Sequence, residues 1–175
     1  MAVVNWEDWV SDPAPALTLA DIRDVEQAIG VSLPEDLRRH YLWGNGGFAI
    51  RSEFILPERG LEYDVAEWDS MKYLRSAEGV LFEDTYRRLV RDRKLIPDQL
   101  IPFAVNGGGD FFCMDRATQG IVFYVMDYCA EPEVAIRHLT GSLREFLDIL
   151  VTEEGAMLKT CGSVPGGTRR AYLPE

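Results

Sequence analysis

The chain reads as a single α+β domain: one antiparallel β-sheet formed by the middle of the chain, with helices packed to one side. Three observations predict it. Two capped helical patterns lie near the amino end, three apolar runs follow one another at hairpin spacing between residues 101 and 126, and a third capped helical pattern closes the run at 142–151. With 175 residues the chain has the length of one ordinary domain.

The first helix is carried by Leu19, Ile22, Val25 and Ile29 at helical spacing, with Thr18 as cap and Gly30 as stop. A second follows in "SLPEDLRRHYLWGNGG", where Pro34 takes a first-turn position, Leu37 and Tyr41 share a face, and residues 44–47 end it. The two form a helical hairpin. From Phe48 the pattern changes: "FAIRSEFILP" supplies one or two short strands, and Leu61, Tyr63 and Val65 alternate as a half-buried strand does. Beyond Val65 strand and helix are not separable until "FEDTYRRLVRDRK", which sets Phe82, Tyr86 and Leu89 on one face and the arginines elsewhere.

Residues 101–105, 111–114 and 120–126 are apolar strands separated by "NGGGD" and "DRATQG", an antiparallel meander to which "VAIRHL" is a candidate fourth strand. Ser142 and Glu145 make a capping box for Leu143, Phe146, Leu147, Leu150 and Val151. The closing "GSVPGGTRRAYLPE" reads as an irregular tail. The organisation is therefore a segment 1–17, a domain 18–151 and a carboxy-terminal extension 152–175.

Composition narrows the function. Hydrophobic residues at 47% and charged residues at 27% describe a globular chain, and no apolar run approaches the ~20 residues of a membrane span. The start "MAVVNWEDWVSD" lacks a signal-peptide pattern, so the expected location is cytoplasmic, with no membrane partner. Cys113, Cys129 and Cys161 are widely spaced and odd in number, which supports neither a disulfide framework nor a zinc site. A net charge of −11 disfavours nucleic acid and favours a basic partner.

No catalytic motif is complete in the sequence. The run "VNGGGDFFCMD" has no lysine, places Asp110 where a phosphate needs a donor, and leads into a strand rather than a helix, so Gly107, Gly108 and Gly109 form a hairpin turn and not a phosphate cradle. Asn45 to Gly47 act as a helix stop. His40 and His138 lack the neighbourhood of a nucleophile-activating base and the spacing of a metal pair. Chance carboxylate pairs are abundant in so acidic a chain and carry no signal. The expectation is no catalytic residue, no cofactor and no metal.

Two charge features remain. Residues 86–94, "YRRLVRDRK", hold five cations against one acid, a balance of +4 that leaves −15 for the remainder; the preferred reading is a solvated helix face paired with neighbouring acids. "LEYDVAEWD" sets Glu62, Asp64, Glu67 and Asp69 around Tyr63 and Trp68, which suits either a protein-binding patch or a loop with one buried tryptophan.

"LPEDLRRHYLWGNGGF", "LIPFAVNGGGDFFCMD", "GIVFYVMDY" and "SLREFLDIL", in this order, resemble the SUKH superfamily in its branch related to the yeast cell wall assembly regulator. The resemblance implies a central, bent antiparallel sheet with flanking helices. It also implies a non-catalytic immunity protein that binds and neutralises a secreted bacterial toxin, delivered by contact-dependent, type VI or related secretion and often a nuclease. No site residue transfers from the family. On charge alone the expected toxin-binding residues are Glu62, Asp64, Glu67, Trp68 and Asp69, joined by Glu131 and Glu133, in a one-to-one complex of a monomer with a basic toxin domain. The alternative is a cytoplasmic interaction scaffold or regulator.

Overall fold

Seven strands hydrogen-bond in the order β1-β2-β5-β6-β7-β8-β9, every pairing antiparallel. They are β1 (Val10–Ser11), β2 (Gly47–Ala49), β5 (Glu67–Trp68), β6 (Leu100–Val105), β7 (Phe111–Asp115), β8 (Ile121–Tyr124) and β9 (Ile136–Thr140). A separate two-stranded ribbon pairs β3 (Glu53–Leu56) with β4 (Leu61–Asp64), and the short helix α4 (Pro132–Ala135) leads into β9. The computed structural model describes residues 5–76 and 79–160. The tail "GSVPGGTRRAYLPE" and Cys161 lie outside them.

The α+β class and the antiparallel sheet agree with the sequence reading, and the meander is β6 to β9. The helices are arranged differently from the expectation of one side. Successive strand residues point to opposite faces. The Phe123 ring lies 4.3 Å from Tyr63 of β4, and its cross-strand neighbour Phe112 lies 5.4 Å from Phe146 of α5 (Leu143–Ile149), so the ribbon and α5 cover one face. The Tyr124 hydroxyl donates to the Leu95 carbonyl at 2.8 Å, which places the segment after α3 (Phe82–Tyr86) over the other. A sheet whose central strands are buried on both faces needs cover on both, and β6, β7 and β8 are near-continuous buried runs.

Local chemistry sets the helix ends. At α1 (Leu19–Ile29) the Thr18 hydroxyl accepts from the Asp21 amide and the Asp21 carboxylate accepts from the Thr18 amide, a reciprocal box. Gly30 closes that helix in the left-handed region at φ +70°. After α2 (Glu35–Trp43), Gly44 has no room for a side chain: a Cβ there would sit 1.9 Å from the Trp6 ring. Helix α3 widens into a π-helical turn, Arg87–Asp92, which keeps both Leu89 and Val90 buried.

At α5 the Ser142 hydroxyl accepts from the Glu145 amide, but the Glu145 carboxylate takes the Gly141 amide, so only half the expected box forms. The helix also stops at Ile149, short of Val151, because Val151 and Glu53 exchange both backbone hydrogen bonds at 2.9 Å. A further helix, α6 (Glu153–Thr160), opens the extension. The amino-terminal segment is woven in: Trp6 and Trp9 are buried, the Trp6 indole donates to the Gly46 carbonyl at 2.9 Å, and β1 edges the sheet.

Candidate functional site

The glycine-rich turn between β6 and β7 is a hairpin connection. The Asn106 side-chain carbonyl accepts from the amides of Gly108 and Asp110 at 2.9 and 2.8 Å, and Gly109 takes φ +88°. These bonds occupy the amides that a phosphate would have used. The Asn45 amide is likewise a lock: it is buried, donates to the Pro15 and Met71 carbonyls at 2.9 and 3.0 Å, and accepts from the Met71 amide at 2.7 Å.

His40 is enclosed by Trp6, Tyr41, Trp43, Trp68 and Phe103, and burial lowers its pKa to about 3. It is a neutral core residue. His138 is exposed on β9. Among the described residues no group of three or more His, Cys, Asp or Glu is placed to hold a metal ion.

The acids expected at the surface divide by strand geometry. On β4, Glu62 and Asp64 point outward while Tyr63 packs inward on Phe123. Glu67 is held in an ion pair: the Arg75 guanidinium pairs with it at 2.9 Å and with Asp12 at 3.0 Å. Trp68 and Asp69 are 1% and 3% exposed, so in this fold they have no surface to offer. Trp68 stacks on Phe103 at 5.8 Å; Asp69 is raised to about 7, first by burial and then by the charge of Glu67.

Glu131 and Glu133 are exposed on the segment between β8 and β9. Hydrogen bonds bring that segment to the same end of the molecule as β4. The Asp64 carboxylate accepts from the Gly107 amide at 3.3 Å, and Asp110, three residues on, accepts from the Met126 amide at 2.8 Å. Met126 opens the turn Met126–Tyr128, and the Glu131 amide donates to the Tyr128 carbonyl at 2.8 Å. Glu62, Asp64, Asp127, Glu131 and Glu133 thus form an acidic rim along one end of the sheet, and among the described residues none of them enters an ion pair.

Sequence reading missed Asp127 and the exposed Tyr128 and Val134 in this rim. The signal was available: "MDYCAEPEV" interleaves acids with an aromatic and an aliphatic residue just as "LEYDVAEWD" does. The basic stripe lies over the opposite sheet face from the ribbon, and there Arg87 pairs with Asp84 at 3.1 Å while Arg91 reaches the Ile29 carbonyl.

No described helix is long and apolar enough to cross a membrane. No curated protein matches the chain. Residues 16–149 match the model of the SMI1 / KNR4 family (SUKH-1), which spans the paired amino-terminal helices, the whole meander and α5, and the chain belongs to that family.

Proposed function

We propose that the chain is an immunity protein that neutralises a secreted bacterial toxin by covering its active site or substrate surface with the acidic rim. The family is one of immunity proteins and is generally non-catalytic. The observation that carries the reading further is the rim itself, five exposed carboxylates without an ion pair among the described residues, gathered from two segments far apart in sequence.

Carboxylates outside ion pairs attract a basic partner at long range and raise its association rate, and a nuclease must be basic where it grips phosphate. The rim then competes for the groups that hold the nucleic acid. The complex is one-to-one, and it needs no cofactor because occlusion involves no bond making.

The test is co-expression with the protein encoded next to this chain, as the candidate toxin. Wild-type protein is expected to restore growth, and the variant Glu62→Gln, Asp64→Asn, Glu131→Gln, Glu133→Gln to lose most of that protection while keeping its melting temperature. Full protection by the variant would remove the rim from the mechanism. A partner that is an endogenous protein, with no rescue from any toxin, would favour a scaffold instead.

A further inference from the structure

We propose that Tyr128 is the anchor of the rim, and that it fits an apolar recess bordered by arginine or lysine on a basic protein partner. Tyr128 is 49% exposed and Val134 is 40% exposed. Both lie on the short segment that also presents Asp127, Glu131 and Glu133.

Other exposed aromatics are already engaged: Phe48 stacks under the Arg75 guanidinium at 3.7 Å, and the Tyr73 hydroxyl donates to Asp21 at 3.1 Å. Tyr128 makes no ring contact and no side-chain hydrogen bond with the described residues. Its hydroxyl is therefore not engaged by a described residue, and about half of the residue faces solvent, where a partner can cover it.

The segment is also held in place before anything binds. The Met126 amide is fixed by Asp110 at 2.8 Å, Tyr128 and Cys129 close a tight turn on Val125 and Met126, and Val134 and Ala135 donate to the Glu131 carbonyl at 2.8 and 3.0 Å. A rigid aromatic costs little entropy to bury, which is why tyrosine recurs as a binding hot spot. An arginine at the recess edge gains twice, from the three carboxylates by charge and from the ring face by cation–π attraction. Charge complementarity thus selects the partner, and the ring supplies contact area that carboxylates lack.

The identification of that partner as a toxin rests on the proposed function; the docking surface does not. Two measurements separate them. The first titrates a hexa-arginine peptide into the protein and follows amide and aromatic resonances. The largest shifts are expected at residues 126–134, Tyr128→Ala is expected to weaken binding roughly threefold or more, and Tyr128→Phe to keep most of it. Shifts spread evenly over every acidic segment, or indifference to Tyr128→Ala, would overturn the proposal.

The second measures the cognate toxin, where Tyr128→Ala is expected to raise Kd roughly tenfold or more with an unchanged melting curve. Wild-type affinity in Tyr128→Ala alongside weakened binding in the four-carboxylate variant would overturn the anchor and leave the immunity reading standing. Absence of any neutralised toxin would remove the immunity reading, and the peptide titration then decides the docking surface alone.

Discussion

His40 and Asp69 titrate in opposite senses within one core. Burial lowers His40 from 6.5 to about 3, so between these values the unfolded chain holds a proton that the folded one does not, and stability falls as the medium acidifies. Burial, with the charge of Glu67, raises Asp69 from 3.8 to about 7, so across that window the folded chain holds the extra proton and stability rises as the medium acidifies. Thr85, Arg88 and Glu83 also face Asp69, and Glu83, itself raised by burial, acts in the same sense. Between pH 4 and 6.5 the two effects oppose. Asp69→Asn removes the larger opposing group: the unfolding free energy of the variant, from urea titrations, should fall as pH is lowered from 6.5, at up to about 1.4 kcal/mol per pH unit until Glu83 begins to take up its proton, while the wild type changes less. Parallel profiles for the two proteins would contradict this. Asn45→Ala removes two buried hydrogen bonds and one partly buried one and strands the Met71 amide, and should cost roughly 3 kcal/mol by equilibrium denaturation.

At the scale of elements, stability is set by caps and by one arginine clamp. Thr18→Ala breaks the reciprocal box of α1 and should cost about 1 kcal/mol, a drop of roughly 2–4 °C in Tm. Arg59, between β3 and β4, donates to the carbonyls of Leu139 and, at 2.8 Å, His138, pinning the ribbon to the edge strand β9. Arg59→Ala should speed hydrogen exchange in residues 53–64 and leave β6 to β8 unchanged. Helix α1 was legible in sequence because periodicity and caps are local, and so was the meander, whose turns are written in glycine and aspartate. Strand β1 was not, because two residues carry no pattern and only tertiary pairing makes them a strand. The acidic site was half legible. Glu62 and Asp64 alternate outward as a strand requires, but a few residues on the chain enters β5, and Trp68 at its end and Asp69 just after it are drawn into the core. Proximity in sequence was a poor guide to proximity on the surface, and the partner of β4 in the rim is 126–134.

For the whole molecule, charge is the organising quantity. The net −11 understates its asymmetry, since the rim faces solvent unpaired among the described residues while the basic stripe rides on the π-helical turn over the other face of the sheet. Binding steered by such a rim should slow steeply as salt rises through the range where the Debye length shrinks below ~10 Å, with dissociation little changed. The most direct measurement is hydrogen exchange on the protein alone and in complex with the proposed toxin partner. Protection on binding confined to residues 62–64, 107–110 and 126–134 is the expected result. Protection of the basic stripe at 87–94, with the rim exchanging as it does in the free protein, would show that neutralisation runs through a different surface.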